Sequence, residues 1–320
     1  MAPGNILVSV NIGLEAIEYV LPENRRNLEE LEAAGALETS AHRLREFGFE
    51  YAFTSKEGAF DLASKATAAL LENHDIEPEK IDALFFAGAI ASSHSVNESP
   101  EFLSAFNYPA CRLQYDFGLL NAIVAGISQT GCMGMMTAVK CAADFLAGSN
   151  AENALCVSAD VFPHHAKREV IYNLISDGGC ALLVRKNATR NFLRAHRHIT
   201  KGYYWDCVAR RNEIIAAYFP TACNIIRETL AKTRTDLDEI AWIIPHNVSR
   251  RSWEILLGLL GISRERLFAE NISAIGHIIA ADNFINLKDA ADRGKINRGD
   301  KLLLFNFGFG ANWGCMLLER

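Results

Sequence analysis

The 320-residue chain has few charged residues, few prolines and no concentration of positive charge. Charged residues make up 22% of the sequence, only 8 residues are proline, and the formal net charge is −6. Because no block of basic residues occurs, the positive surface that nucleic-acid binding needs is missing. Half of the residues are hydrophobic, which predicts a globular protein with a large buried core.

Signals for a membrane or for secretion are also missing. No apolar run reaches the length of a transmembrane helix, and the first twenty residues lack both a basic leader and a continuous apolar core. The eight cysteines are scattered, without a CxxC pair or a Cys/His ligand spacing, as is typical of buried thiols in a reducing compartment. We therefore expect a cytoplasmic protein without a signal peptide, a disulfide frame, a metal site or a cofactor.

What the sequence does contain is an internal repetition. Residues 65–89 and 224–247 each read as an amphipathic helix, a polar turn and a short apolar run typical of a buried parallel strand. A second helix and strand follow each stretch. The pattern predicts a duplicated α/β fold whose two halves, residues 1–185 and 186–320, pack about a pseudo-twofold axis.

The repetition also predicts where reactive side chains meet. Cys132 opens a helix rich in small residues, "GCMGMMTAVKCAADFLAG", which corresponds to a helix beginning near His277 in the second half. The strand "AWIIP" ends just before His246. We expect these three side chains to converge at the interface between the halves.

Several motifs together resemble those of the thiolase superfamily and, within it, of β-ketoacyl-acyl-carrier-protein synthase III. They are the Cys at a helix start, "SDGG" (176–179), "IPHNVSRRS" (244–252), "IGHIIAAD" (275–282) and "NFGFGANWGCMLLER" (306–320). The resemblance runs from about residue 60 to the end of the chain. It implies a layered αβαβα sandwich and an acyltransferase that condenses acyl thioesters by a ping-pong mechanism through an acyl-cysteine.

The resemblance assigns Cys132, His246 and His277 to catalysis. A thiol at a helix N-terminus is stabilised as the thiolate, and a neutral His246 can donate a hydrogen bond to a malonyl thioester. Synthases of type III usually carry Asn where this chain has His277, and an imidazole can either donate a hydrogen bond or exchange a proton. The alternative interpretation is structural: Cys132 as a buried small residue and His246 as a partner of the backbone.

The resemblance also predicts an oxyanion site and a substrate pocket. The backbone N–H groups of Cys132 and Phe309 would stabilise the oxyanion, and Gly308 and Gly310 would keep their loop close to the acyl thioester. The family usually has glycine at the position of Phe309, so we expect its side chain to narrow the pocket.

Carrier-protein binding and dimerisation are implied in the same way. The segment 40–60 lacks the tryptophan with which relatives hold coenzyme A, and Glu50 stands near the place of an arginine, so we expect acyl-carrier protein as the donor. Arg250 and Arg251 form the predicted docking site for this acidic partner. The segment 95–114, with Phe106 and Tyr108, is expected to close the acyl tunnel of the other subunit in a homodimer.

The predicted function is condensation of acyl thioesters in fatty-acid-like or polyketide biosynthesis. Two alternatives stay open at this point. One is an acyltransferase that moves the acyl group to an oxygen or nitrogen acceptor without decarboxylation, and the other is a non-catalytic partner subunit.

Overall fold

The structure is a computed structural model that describes residues 11–90, 103 and 106–320. The strands in these residues are β1 (Ile12–Val20), β2 (Asn24–Asn27), β3 (Tyr51–Thr54), β4 (Ala83–Ala87), β5 (Ile123–Ile127), β6 (Asn153–Asp160), β7 (Glu169–Val170), β8 (Asn173–Leu174), β9 (Gly178–Lys186), β10 (Phe192–Thr200), β11 (Ile240–Pro245), β12 (Lys301–Gly308) and β13 (Asn312–Glu319). The helices are α1 (Leu28–Ala33), α2 (Ala41–Glu46), α3 (Ala59–Asn73), α4 (Pro109–Asp116), α5 (Gly134–Ala147), α6 (Arg211–Ala231), α7 (Arg250–Leu260), α8 (Glu270–Ala274) and α9 (Asp282–Asp292).

The main sheet consists of two similar halves joined at one narrow contact. Its strand order is β11-β12-β13-β10-β1-β9-β6-β4-β5, and β1 pairs with β10 through only Gly13 and Phe192. On one side β4 and β6 are parallel and β9 is antiparallel to β6; on the other, β11 and β12 are parallel and β13 is antiparallel to β12. The helix before each parallel strand recurs as well, so the predicted duplication is confirmed.

Helices form three layers around these two half-sheets. Helices α5 and α9 pack between the half-sheets in one apolar core that includes side chains from both. Helix α3 covers the outer face of the first half-sheet, and α6 and α7 cover the outer face of the second. The order is therefore helix, sheet, helix, sheet, helix, which is the predicted αβαβα sandwich.

The small residues of α5 explain how the central layer fits. A Cβ built on Gly134 would lie 3.3 Å from the Cβ of Ala87 in β4 and 3.6 Å from that of Ala280, before α9. A larger residue than glycine would push α5 away from one of the two halves, because packed interiors leave no spare volume. This close approach brings the beginnings of α5 and α9 together.

The connections put the predicted site at one edge of the sandwich. His246 follows the last residue of β11, Phe309 follows β12, and Cys132 and His277 lie just before α5 and α9. The predicted domain boundary between residues 185 and 186 falls at the end of β9, before the chain crosses to the second half-sheet, and it stays a prediction. None of the described helices is long and apolar enough to span a bilayer.

Candidate active site

Cys132 lies in a short 3-10 turn, Gly131–Met133, that leads directly into α5. The helix itself begins at Gly134, so the predicted helix start is shifted by less than one turn. The Cys132 side chain is partly exposed, and its Sγ is 3.5 Å from Nε2 of His277. The thiol therefore lies next to a helix N-terminus and within hydrogen-bonding distance of an imidazole.

His277 is held between Cys132 and Asp282, the first residue of α9. Its Nδ1 is 2.5 Å from Oδ2 of Asp282, while Nε2 faces the thiol. Burial by itself lowers the pKa of His277, but the electrostatic interactions and hydrogen bonds with Asp282 and Cys132 outweigh it and raise the pKa to about 10. At neutral pH the His277 ring is therefore positively charged and carries a proton on each nitrogen.

Asp282 was not predicted as a site residue, although it ends the motif "IGHIIAAD". Its carboxylate is fully buried and also accepts backbone hydrogen bonds from Asn247, at 2.6 Å, and from Ile278, at 2.7 Å. Three donors thus fix the carboxylate in front of the imidazole. The signal in the sequence is an acidic residue five positions after the histidine, at the start of a helix.

His246 faces His277 but has very different surroundings. The two ring centroids are 6.1 Å apart, and the rings of Trp253 and Phe305 pack against His246 at 5.8 and 6.0 Å. Burial, together with the positive charge of His277, lowers the pKa of His246 well below its ordinary value. The second histidine is therefore neutral at physiological pH.

The three predicted catalytic residues line one cavity of about 490 Å³, a volume typical of small-molecule sites. Its wall is largely apolar, with side chains from Phe47, Ile90, Phe162, Ile171, Tyr172, Ile175, Ile214, Ile215, Tyr218, Phe219, Ile255, Ile279, Phe307 and Phe309. An apolar wall that ends at a thiol suits an acyl chain attached to a thioester. In the part of the chain that the structure describes, no group of three or more ligand side chains could hold a metal.

Two glycines bring together the backbone amides predicted for the oxyanion site. A Cβ built on Gly131 would lie 2.9 Å from the amide nitrogen of Phe309, and one on Gly308 would lie 3.0 Å from that of Cys132. Gly131 also has a φ of +54°, in the left-handed region that favours glycine. The turn around Cys132 and the end of β12 can therefore pack this closely only because positions 131 and 308 are both glycine, which has no side chain.

Four residues predicted for the substrate pocket do not line this cavity. Gly308 packs behind the Cys132 turn and Gly310 packs against Asn312, so the neighbouring Phe307 and Phe309 form the wall instead. Phe106 and Tyr108 are 51% and 56% exposed on the surface. Of the segment 95–114, residues 95–102 and 104–105 lie outside the described residues.

The predicted docking arginines lie beside the cavity. Arg251 lines its mouth, and both Arg250 and Arg251 are exposed, without an ion pair to any residue in the described ranges. Glu50, expected to repel phosphates, forms an ion pair of 3.1 Å with Arg45. Arg45 also pairs with Glu29, so the two carboxylates together keep a net negative charge, and the expected repulsion of phosphates stays a prediction.

A chain of buried asparagines behind the cavity was also missed by sequence reasoning. Asn306 donates to the carbonyl of Cys132 at 3.0 Å and to the side chain of Asn283 at 2.8 Å. Asn283 in turn donates to the carbonyl of Ile244, and Asn286 to that of Pro245. These amides connect the Cys132 turn with the strand before His246, which fixes their relative position.

The comparisons with known proteins agree with this geometry. The family models "3-Oxoacyl-acyl-carrier-protein (ACP) synthase III" and its C-terminal counterpart match residues 128–201 and 230–320. The β-ketoacyl-acyl-carrier-protein synthase III of Aquifex aeolicus is 25% identical over 269 residues, which cover 81% of this chain and 83% of the relative. That of Campylobacter jejuni is 26% identical and covers 83% and 84% of the two chains.

Solved structures share the fold over nearly the whole chain. The synthase III of Aquifex aeolicus aligns with a TM-score of 0.82 at 22% identity, covering 97% of this chain and all of that one. The acyltransferase ChlB3 aligns at 0.84 and 20%, covering 97% of each chain. OleA of Xanthomonas campestris aligns at 0.78 and 15%, covering 97% and 98%. The two matched family models and the relatives show that the chain belongs to the 3-oxoacyl-acyl-carrier-protein synthase III family of the thiolase superfamily.

Proposed function

We propose that this chain condenses an acyl group, carried on Cys132, with a malonyl thioester in fatty-acid-like or polyketide biosynthesis. The observation that carries the proposal is the hydrogen-bonded series of side chains Cys132, His277 and Asp282. Cys132 and His277 line the apolar cavity. A thiolate beside an imidazolium is an activated nucleophile for a thioester. Its presence favours an enzyme over a non-catalytic partner subunit.

In the first half-reaction the Cys132 thiolate attacks the thioester carbonyl and the acyl chain enters the cavity. The amides of Cys132 and Phe309 stabilise the tetrahedral oxyanion, and the carrier leaves as a thiolate that takes a proton from solvent, so His277 keeps both of its protons. In the second half-reaction the charged His277 donates its Nε2–H to the malonyl thioester oxygen. The carboxylate leaves as carbon dioxide, the enolate carbon attacks the acyl carbonyl, and the Cys132 thiolate is released.

The contact with Asp282 supports a second candidate, acyl transfer to an oxygen or nitrogen acceptor. A carboxylate that holds the Nδ1 proton leaves Nε2 free to take a proton from an acceptor once the ring is neutral, as in Ser-His-Asp hydrolases. The raised pKa of His277, about 10, favours the donor role, because it keeps the ring charged in the resting enzyme.

Single-turnover transfer from preloaded enzyme distinguishes the two reactions. Intact mass spectrometry first identifies which thioester places an acyl group on Cys132. The loaded enzyme is then offered malonyl-carrier protein or a panel of alcohols and amines. His277→Asn keeps an N–H donor, so condensation should stay within about tenfold, whereas loss of a general base costs roughly 10²- to 10⁴-fold.

The opposite result would overturn condensation as the proposed function. If wild-type enzyme loads but releases no carbon dioxide from malonyl-carrier protein, while His277→Asn loses transfer to an alcohol or amine, plain acyl transfer is the function. If no acyl mass appears on Cys132 with any thioester, both candidates are wrong.

We also propose acyl-carrier protein as the donor and a homodimer as the working unit. Arg251 lines the cavity, is exposed and has no ion pair within the described residues, which supports docking of an acidic partner. The edge strand β5 supports the dimer, since β4 pairs with it on one side only and Ile123 is 56% exposed. Tyr115 and Leu120, next to it, are 84% and 78% exposed.

The oligomeric state can be tested with charges on this edge. Ile123→Lys together with Leu120→Lys should convert a dimer to a monomer in light scattering, because two copies would bring the lysines together. Val208→Lys is the matched control, since Val208 is 90% exposed in the loop before α6. A wild-type monomer, or a dimer insensitive to both lysines, would contradict the proposal.

A further inference from the structure

Tyr218 of α6 is a hydrogen-bond partner of the His246 ring. Its hydroxyl oxygen lies 3.3 Å from Nε2 of His246, and its ring lines the same cavity as Cys132 and His277. The other ring nitrogen of His246, Nδ1, is buried and makes no hydrogen bond with any described residue. Tyr218 is therefore hydrogen-bonded to Nε2, the nitrogen with which His246 would otherwise bind a substrate.

The protons available to this pair are limited. Because the pKa of His246 is well below its ordinary value, its ring is neutral and has one N–H and one lone pair. Burial raises the pKa of Tyr218 above its ordinary value, so the phenol keeps its proton. Each group has one hydrogen to donate, and only one of the two hydrogens can lie between them.

We propose that His246 donates its Nε2–H to Tyr218, and that Tyr218 donates its own O–H to the thioester oxygen of the malonyl substrate. Tyr218 is then a catalytic residue, and His246 is the positioning residue behind it. This inference rests on the condensing function proposed above. It adds that the two hydrogen-bond donors for the enolate are His277 and Tyr218.

Packing around Tyr218 suits this role because it holds the ring in one orientation. Its ring meets those of Phe219, Phe305 and Phe307 at centroid distances of 5.0, 6.2 and 5.4 Å, all in edge-to-face geometry. Such contacts restrict the side chain and keep its hydroxyl next to Nε2 of His246 at the wall of the cavity. A donor that is fixed before the reaction costs no reorganisation when charge develops.

The role can be written as a balanced step. The bond between the malonyl Cα and its carboxylate breaks, and the electron pair moves through Cα to the thioester oxygen as carbon dioxide leaves. The enolate oxygen accepts hydrogen bonds from Tyr218 and His277 without taking either proton. Its carbon then bonds to the acyl carbonyl, and the sulfur–carbon bond of acyl-Cys132 breaks to return the thiolate.

Removal of the hydroxyl alone tests this assignment. Tyr218→Phe should load Cys132 at the wild-type rate, because His277 and not His246 contacts the thiol, but should condense malonyl-carrier protein roughly 10²-fold more slowly. Tyr203→Phe is the matched control: Tyr203 is 57% exposed, does not line the cavity and has no contact with His246 in the described residues. It should change neither step.

Two further measurements separate a donor from a merely structural tyrosine. In a double-mutant cycle, His246→Ala in the Tyr218→Phe background should cost much less than in wild type, since the two groups act as one unit. Fluorotyrosines at position 218 should speed condensation as the phenol becomes more acidic. Additive losses, or rates independent of phenol acidity, would overturn the proposal.

Failure of this inference can be told from failure of the proposed function. If wild-type enzyme loads and condenses, and Tyr218→Phe condenses at the same rate, only the role of Tyr218 is wrong. If wild-type enzyme does not condense malonyl-carrier protein, the proposed function is wrong, and the role of Tyr218 fails with it.

Discussion

The two histidines of the site are 6.1 Å apart and are opposite in charge state. His277 lies between a thiol and the carboxylate of Asp282. The ring of His246 is instead enclosed by Trp253 and Phe305, and among the described residues it has a hydrogen-bond partner in the hydroxyl of Tyr218 alone. The same side chain is therefore a cation in one place and a neutral ring in the other. The difference comes from their neighbours, since both are buried.

The largest effect should come from removing the thiol. Cys132→Ala should abolish acyl-enzyme formation, because no nucleophile remains, while the fold survives. The change also removes one of the two side chains that raise the pKa of His277, so that pKa should fall, while Asp282 still keeps it above that of His246. Intact mass spectrometry and NMR titration measure the two effects, and acyl mass retained on the variant would refute the assignment of Cys132.

The next effect should come from making the surroundings of His277 neutral. Asp282→Asn removes the carboxylate that holds Nδ1 of His277, so Nε2 is no longer fixed toward the malonyl thioester and condensation should fall roughly 10²-fold. The new amide also cannot accept from both Asn247 and Ile278, which should lower the free energy of unfolding by ~1–3 kcal/mol. Asp289→Asn is the control, a largely buried aspartate of the same helix that bonds Tyr19 and Asn271. Equal activity of the two variants would contradict the role of Asp282.

The comparison can be sharpened by the pH dependence of stability. The pKa of His277 in the folded protein, about 10, exceeds its ordinary value of 6.5. Its contribution to the free energy of unfolding is therefore complete below pH 6.5 and is lost as the pH rises through 10. The pKa of His246 in the folded protein is lowered instead. Its contribution to the free energy of unfolding is therefore present above pH 6.5 and is lost as the pH falls below 6.5. Urea denaturation at a series of pH values should show both slopes of the free energy of unfolding against pH.

Two variants assign these slopes to the two residues. His277→Asn should flatten the alkaline slope, and His246→Asn should flatten the acidic one. Slopes that neither variant changes would mean that other groups dominate the titration.

The smallest effect should come from a charge that changes substrate delivery and leaves both histidines unaltered. Arg251→Glu should slow loading of Cys132 from a carrier-protein thioester several-fold at low salt, but not loading from a small acyl thioester, because it repels only the acidic protein. Arg298→Glu, an exposed change in the loop before β12, is the control. Loading rates from both donors give the answer, and an equal loss from both would place Arg251 in the chemistry instead.

Much of this arrangement could be predicted from local patterns. The repeated helix and strand segments predicted the duplication, and the motifs around Cys132, His246 and His277 predicted that these residues meet. Tyr218 could not be found in this way, because "AAYFPTA" carries no catalytic motif and has a proline inside the helix, and the contact of Tyr218 with His246 depends on how α6 packs against the second half-sheet. The pairing of Glu50 with Arg45 was missed for the same reason, since it depends on how side chains meet around α2.

The sequence by itself determined the duplicated α/β fold, because hydrophobic periodicity and strand ends follow from local order along the chain. Its motifs, through their resemblance to a known family, also pointed to the thiol and the two imidazoles. Only the tertiary structure decided which histidine is charged. A charge on a buried imidazole depends on the distance to a carboxylate and on the absence of water, and both are set by packing between segments far apart in the sequence.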